Sequence, residues 1–471
     1  MKHKFAAFAM LFVAILTLGS CLKDDSEDYV YTDDSAITSF YVTAAKQYHY
    51  TKTKAGADSM YVATSSFSSY RFNIDQATNT ISNPDSLPCG VDARKLVCSF
   101  AGLNSAAVYM KSLTSDSLTY ISTSDSLDFS QPRELQVISN SGKALRKYTV
   151  TVNVHKEQPD SFAWHEMPNA DFQSLIAAKT VALTTAEGGS RLLLFGTNGT
   201  ATYVYVMNAD NTWRLATLNF NHPLAADAYK GVVEQNGYAY LSDNGNIVRS
   251  ADGETWTETG RNTNVTRLVA ASPLRIYGYD ADGKLLASAD NGATWTVATL
   301  DSDASLLPTA ETTYTYAPLR TNGDSYQVTL LGSQTDGTMS VWGKIDEGSA
   351  YSENQAWAYF NVSEDNRHAL PRLTGVSVVR YDGLTYVLGT PDDGSATLYC
   401  SRDGGITWAA DTVMAVPSDI TEGAPMNMAK ALTLTADKNN FIWMVNVKSG
   451  RTWRGRINRL GWKKEQSDFT E

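Results

Sequence analysis

Hydrophobic and polar residues alternate in short runs along most of the chain, and nowhere does the 3.6-residue period of an amphipathic helix persist. Between residues 34 and 157 the runs are Ile37-Thr38-Ser39-Phe40-Tyr41-Val42, Tyr70-Arg71-Phe72-Asn73-Ile74, Arg94 to Phe100, Glu134 to Ile138 and Tyr148 to Val154. A period of two sends one side of each run into a core and the other into water, which predicts half-buried antiparallel strands. Ser139-Asn140-Ser141-Gly142-Lys143, a cluster of turn formers, joins the last two runs. Short strands with a turn every dozen or so residues predict a β-sandwich here.

Beyond residue 158 the pattern repeats on a longer scale. All ten Trp fall between Trp164 and Trp462, and the polar stretch Lys156 to Asp160 marks the change. With Trp213, Trp256, Trp295, Trp357, Trp408 and Trp462 as markers of one outer strand each, the gaps are 43, 39, 62, 51 and 54 residues. Four short strands with their turns need about 40–50 residues, so each repeat predicts one blade of a β-propeller. That makes six blades over residues 158–471. Phe162-Ala163-Trp164-His165-Glu166 is one more strand-like piece, which either completes the last blade or opens a seventh.

Three of these repeats carry a shared motif: Ser250, Asp252, Gly253, Thr255 and Trp256; Ser288, Asp290, Gly292, Thr294 and Trp295; Ser401, Asp403, Gly405, Thr407 and Trp408. A degenerate fourth runs from Asn208 to Trp213. The motif resembles the Asp box of sialidase-like propellers. Its residue types describe a hairpin staple: an Asp that accepts N–H groups of its own turn, a Gly for positive φ, a strand-forming Thr and a Trp to wedge against a neighbouring sheet. The Asp residues are read as structural rather than catalytic.

The N-terminus carries a different signal. Lys2 and Lys4 precede an uncharged apolar run from Phe5 to Leu18, too short to span a bilayer comfortably. Leu18-Gly19-Ser20-Cys21 resembles a bacterial lipobox, which implies cleavage of residues 1–20 and acylation of Cys21. Each buried methylene contributes about 0.8 kcal/mol, so a multiply acylated Cys21 would hold the chain at a membrane without a spanning helix. Residues 21–33 form an acidic tether, and Lys23-Asp24-Asp25-Ser26-Glu27-Asp28 resembles the export signal of Bacteroidetes surface lipoproteins. That resemblance implies an outer-membrane protein facing the exterior. Likewise, the pattern closing the first domain at Tyr148-Thr149-Val150-Thr151-Val152 resembles Ig-like or cadherin-like spacers.

Composition narrows the partners. The chain has 471 residues and a formal net charge of −11, which repels phosphate backbones and argues against nucleic acid. Cys89 and Cys98 are close enough in sequence to pair if their strands face each other, leaving Cys400 as a small apolar residue. The six His are scattered and show no metal-ligand spacing, so no metal or other cofactor is expected. Asp280-Ala281-Asp282-Gly283 and Asp392-Asp393-Gly394 have calcium-ligand residue types, although hairpin turns account for them. A sialidase would need an Arg in a Phe/Tyr-Arg-Ile-Pro motif of its first blade. The stretch from Ala178 to Asn198 holds only Arg191, and Leu274-Arg275-Ile276-Tyr277 sits in a middle blade without the Pro.

As a whole, the chain resembles Bacteroidetes surface lipoproteins that join an Ig-like domain to a sialidase-like propeller. The expectation is an all-β, non-enzymatic binding or scaffold protein whose propeller recognises a glycan or an envelope protein. The alternatives are a divergent glycan-active enzyme, hydrolase or lyase, on the same propeller, and an assembly factor for other envelope proteins. No ligand-binding residue can be chosen from the sequence.

Overall fold

The computed structural model describes residues 30–53, 58–172, 174–319, 322–348, 355–360, 366–392, 394–417 and 426–462. The leader, Cys21, most of the tether and Asp393 lie outside them. The chain forms two compact units, Met1–Gln158 with Trp462–Glu471, and Pro159–Gly461.

In the first unit the strands make two sheets. One has the order Asp58–Ser65, Ile37–Lys52, Val91–Gly102, Ser126–Leu127; the other runs Asn73–Asp75, Thr80–Ser82, Leu145–Thr151, Arg133–Ile138, Ala107–Lys111, Leu118–Tyr120. Inward residues of both sheets, among them Phe40, Leu96, Val108, Leu135 and Val150, share one core. The alternation read from the sequence is the physical cause in strands such as Ala107–Lys111, where Val108 and Met110 are buried between less buried neighbours. Tyr148 is fully buried there, and its hydroxyl donates to Gln76 Oε1 at 2.6 Å while accepting from Ile37 N at 3.2 Å. Of the run Tyr70 to Ile74, only Asn73 and Ile74 are strand, within Asn73–Asp75, because Phe67 to Tyr70 turns back through a backbone hydrogen bond.

Cys89, Cys98 and Cys400 are free thiols. Cys98 lies within the strand Val91–Gly102 and Cys89 just before it, so the two follow one another along the chain instead of facing across a sheet. That removes the geometry a disulfide needs. Burial pushes the Cys98 thiol up to about 12.

The second unit is built, among the described residues, from six four-stranded antiparallel sheets. Their innermost strands are Ala177–Thr184, Val233–Gln235, Val265–Ala271, Ala310–Leu319, Leu373–Tyr381 and Leu432–Ala436, each touching the next and the last touching the first. Burial follows position in the sheet. Ile442–Asn446, second in its sheet, is buried at every residue, whereas the outer strand Thr296–Val297 is exposed throughout. A second strand is covered by neighbouring sheets on both faces, so it reads as a continuous apolar run such as Leu192-Leu193-Leu194-Phe195. Asn244-Gly245 and Asp382-Gly383 close two-residue hairpins with positive φ at both residues, the backbone that a tight hairpin turn demands.

The sixth sheet joins the two ends of the unit. Its outer strand is Phe162–Glu166, which pairs antiparallel with Arg451–Ile457 at the C-terminal end. The early Trp164 piece therefore completes the last sheet. This corrects the role expected of Trp462, which follows the helical turn Asn458–Gly461 and lies outside every strand. The other five markers fall where the spacing put them. Trp213 opens an outer strand, and Trp256, Trp295, Trp357 and Trp408 each sit one residue before one.

Candidate functional site

The three repeated motifs form the turns between third and fourth strands of the second, third and fifth sheets. In the first, Ser250 Oγ donates to Asp252 Oδ1 at 2.8 Å, and the same oxygen accepts Glu254 N at 2.8 Å and Thr255 N at 2.7 Å. Asp290 takes Ser288 Oγ and Thr294 N, both at 2.8 Å, and Thr294 Oγ1 at 2.6 Å. Asp403 repeats the set with Ser401 Oγ at 2.8 Å and Thr407 N at 3.0 Å. Burial pushes these carboxyls up, but the donors outweigh it and hold all three below the usual carboxylate range. The indoles fold back on their own turns: Trp256, Trp295 and Trp408 donate to the carbonyls of Gly253, Gly292 and Gly405 at 3.2, 2.9 and 3.0 Å.

Each turn also leans on the preceding sheet. A Cβ on Gly253 would lie 2.8 Å from Leu193 Cδ2, and one on Gly292 would lie 2.7 Å from Ile247 Cγ2. Trp256 packs with Leu193 and Phe195 of the first sheet, and Trp408 with Leu331 and Val341 of the fourth. The degenerate repeat keeps part of this design, with Thr212 N and Oγ1 donating to Asp210 Oδ1 at 3.1 and 2.6 Å. None of these residues lines the cavity enclosed by the inner strands.

That cavity lies along the inner strands and has a volume of about 390 Å³, within the range of small-ligand sites. Its wall comes from Ala178–Thr184, Glu234, Ala310–Tyr316, Gly375–Arg380 and Leu432–Ala436, with Tyr229, Lys230, Lys430, Asp437 and Lys438 at the strand ends. No motif marks these residues. They come from five inner strands spread over most of the unit, and only closure of the sheets brings them together.

The carboxylates of the wall are already engaged by the protein. Glu311 Oε2 accepts Gly375 N at 2.5 Å and Val376 N at 3.3 Å, while its Oε1 pairs with Lys430 Nζ at 3.0 Å. Glu311 has a φ of +51°, a strained value for a side-chain-bearing residue, at an irregularity of its strand. Glu234 takes Gly237 N at 2.9 Å on Oε1 and the Tyr316 hydroxyl at 3.1 Å on Oε2. Burial raises its carboxyl, and those two bonds offset only part of the rise. Asp437 accepts Asn439 N at 2.8 Å, Phe441 N at 3.0 Å and Trp443 Nε1 at 2.9 Å.

Lys179 is different. It lies over the Tyr314 ring, 5.7 Å from its centroid, and its nearest polar contact is the Lys230 carbonyl oxygen at 3.5 Å. Its side chain is half-buried and opens onto the cavity. Desolvation, with a smaller push from the Arg267 guanidinium, pulls the amine down to about 7. Tyr314 hydrogen-bonds the Glu234 backbone through its hydroxyl, and burial raises that hydroxyl far above its ordinary range.

The remaining sequence candidates lie elsewhere. Arg191 donates to the Ala251 carbonyl at 2.6 Å, and Arg275 reaches Asp346 Oδ1 at 3.4 Å, so neither lines the cavity. Asp280 Oδ1 accepts Asp282 N at 3.0 Å and Lys284 N at 2.9 Å, the bonding of a hairpin turn. His222 pairs with Asp243 at 2.9 Å in a separate cleft, and His49 stacks on Tyr61. Among the described residues no three His, Cys, Asp or Glu side chains gather as a metal site, and no helix is long and apolar enough to cross a membrane.

The chain belongs to the DUF6242 family: residues 158–465 match the DUF6242 beta propeller domain, and residues 40–152 match the DUF6242 N-terminal domain, a domain of unknown function. No curated protein matches it. Among solved structures, it is similar to YCF48 from Cyanidioschyzon merolae, at 14% identity over 62% of this chain and 98% of that one, with a TM-score of 0.34. The GH74 xyloglucanase from Xanthomonas campestris matches at 15% identity over 63% and 54%, with a TM-score of 0.35. The lectin SapL1 in complex with alpha methyl fucoside matches at 12% over 59% and 91%, also with a TM-score of 0.35.

Proposed function

We propose that this protein is a lipid-anchored outer-membrane protein, held through Cys21 and facing the cell exterior, whose six-bladed propeller captures a glycan or protein ligand in its central cavity without transforming it. The first unit serves as an Ig-like spacer between anchor and propeller. One observation carries the binding reading: Glu234, Glu311 and Asp437, the cavity carboxylates, each satisfy protein donors. Glycoside hydrolysis needs two carboxyl groups free to act on the scissile bond, one as acid and one as base or nucleophile. Carboxylates committed to backbone amides, a lysine and a tyrosine serve the wall instead. The repeated turns tie neighbouring blades together away from the cavity.

The enzymatic alternative draws on one contact, the Tyr316 hydroxyl donating to Glu234. A Tyr–Glu pair is the nucleophile arrangement of sialidases, but burial and the Glu234 charge raise the Tyr316 hydroxyl far above its ordinary range. That is the opposite of activation. The test is a glycan-array screen of the full-length protein with product analysis of every hit. Retained, uncleaved glycan supports capture; released sugar overturns it; a silent array moves the ligand to the protein class. Anchoring is checked separately, because Cys21→Ala must release the protein from the membrane fraction.

A further inference from the structure

The wall of the cavity holds an imbalance that the fold does not need. Its carboxylates have partners, whereas Lys179 has no carboxylate within ion-pair distance among the described residues. Beside it Thr180, 6% exposed, has a side-chain hydroxyl oxygen without a hydrogen-bond partner. Stripping a cation of water without an anion is unfavourable, and so is leaving a buried hydroxyl unsatisfied. Lys179 and Thr180 are successive strand residues whose side chains leave opposite faces, so the group on the cavity side that can receive an anion is the Lys179 amine. Around it the wall is rich in hydroxyls, including Thr312, Thr313, Thr433, Thr435 and Ser377. Hydroxyls donate and accept alike, so they match a ligand that is itself a ring of hydroxyls.

We infer that the central cavity takes a carboxylated sugar, a uronate-type residue, with its carboxylate on the Lys179 ammonium and its hydroxyls on the threonine-lined wall. This deepens the capture reading and rests on it. The cavity volume of about 390 Å³ lies in the range that a small ligand such as a sugar unit fills. Lys179 acts as the counter-cation of the bound ligand and leaves the carboxylate unmodified. The groups facing it are Lys230 and Tyr229 on the loop before the second sheet, Glu234 on the second, Arg267 on the third, and Tyr314 and Glu311 on the fourth, with Lys430 paired to Glu311. Arg267 is committed to Thr309 O at 3.2 Å, and Lys230 and Lys438 stand at the strand ends, whereas Lys179 stands within the first inner strand beside Tyr314.

The experiment is ligand-observed NMR of the full-length protein with glucuronate and galacturonate, against glucose and galactose as matched neutral sugars. The inference expects binding of at least one uronate, no binding of its neutral partner, and a loss of roughly tenfold or more in uronate affinity in Lys179→Met. Met keeps the length of the stem, and an unchanged or higher Tm confirms that the variant is folded. Should it fail to fold, the wild-type protein carries the test, because uronate affinity must fall between about pH 6 and pH 9 as Lys179 deprotonates. Equal binding of uronate and neutral sugar, full affinity in Lys179→Met, or no uronate binding at millimolar concentration each overturns the inference. Neutral glycans retained on the array in those cases leave glycan capture standing, and a silent array overturns the inference while moving capture to a protein ligand.

Discussion

Trp213 and Thr452 lie 239 positions apart, and the Trp213 indole Nε1 donates to Thr452 Oγ1 at 3.1 Å. One belongs to the first sheet and the other to the sixth, so this hydrogen bond crosses the seam where the chain meets itself. Thr452 is fully buried. Thr452→Val keeps the shape and removes the acceptor, leaving an indole N–H with nothing to bond. The expected cost is about 1–2 kcal/mol in urea unfolding. A variant as stable as the parent would show that the seam hydrogen bond contributes nothing.

The repeated turns should tolerate no Cβ at their glycine. Gly292 has a φ of +88°, and an added Cβ would meet Ile247 Cγ2 at 2.7 Å. Gly292→Ala combines backbone strain with overpacking between two sheets, at a cost of about 2–4 kcal/mol. Gly283, also at positive φ but with open space around its Cβ position, should lose only about 1 kcal/mol on the same change. Equal losses at the two sites would mean that contact with the preceding sheet is energetically empty.

Asp346 is the buried hub between the third and fourth sheets. It is fully buried and accepts Ser272 Oγ at 2.5 Å, the Tyr277 hydroxyl, and Arg275 Nη1 at 3.4 Å. Asp346→Ala strands three donors, one of them charged, and should cost about 3–5 kcal/mol. Asp346→Asn retains acceptor capacity and should lose less. Chemical denaturation of both variants checks the order, and an alanine variant at or above the asparagine variant would refute it.

Lys179 makes stability depend on alkaline pH. Its folded pKa of about 7 lies below the ordinary lysine value of 10.5. Between those limits the unfolded chain binds the extra proton, so stability rises with pH through that window. Below it both states are protonated, and the full cost of the buried cation is present. Lys179→Met should therefore be more stable than the parent near pH 6, with the gap narrowing towards pH 10. Parallel Tm profiles, with no narrowing, would place the amine in solvent.

Much of the second unit was readable because its repeats are local. A Ser, an Asp, a Gly and a Trp within seven or eight residues describe a complete turn, and the Trp spacing follows from four strands per sheet. Trp462 misled because spacing alone cannot distinguish a Trp before an outer strand from one beyond the last sheet. The outer strand it was meant to mark comes from Phe162–Glu166, whose pairing with Arg451–Ile457 has no local trace. The cavity was illegible for a related reason. Lys179, Glu234, Glu311 and Thr433 occupy different sheets, and each sits in an ordinary strand pattern until the inner strands converge. In the first unit the alternation located the main strands, but not the parallel pairing of Thr80–Ser82 with Leu145–Thr151, which joins distant segments.

The pairing of Phe162 with Ile457 also orders events in time. A ribosome delivers the outer strand of the sixth sheet first and its three companions last, so that strand waits, edge bare, while the other five sheets are made. Hairpins within those sheets can form as they emerge, since their partners are neighbours in sequence. Closure has to await nearly the whole polypeptide and then bridge a very long loop, which makes it the slow, all-or-none step of biogenesis. Until then the bare strand offers its unpaired amides to any other chain nearby. An export route that keeps the nascent chain apart from its copies would guard against this hazard, and a ribosome that stalls before residue 451 would release a molecule unable to finish itself.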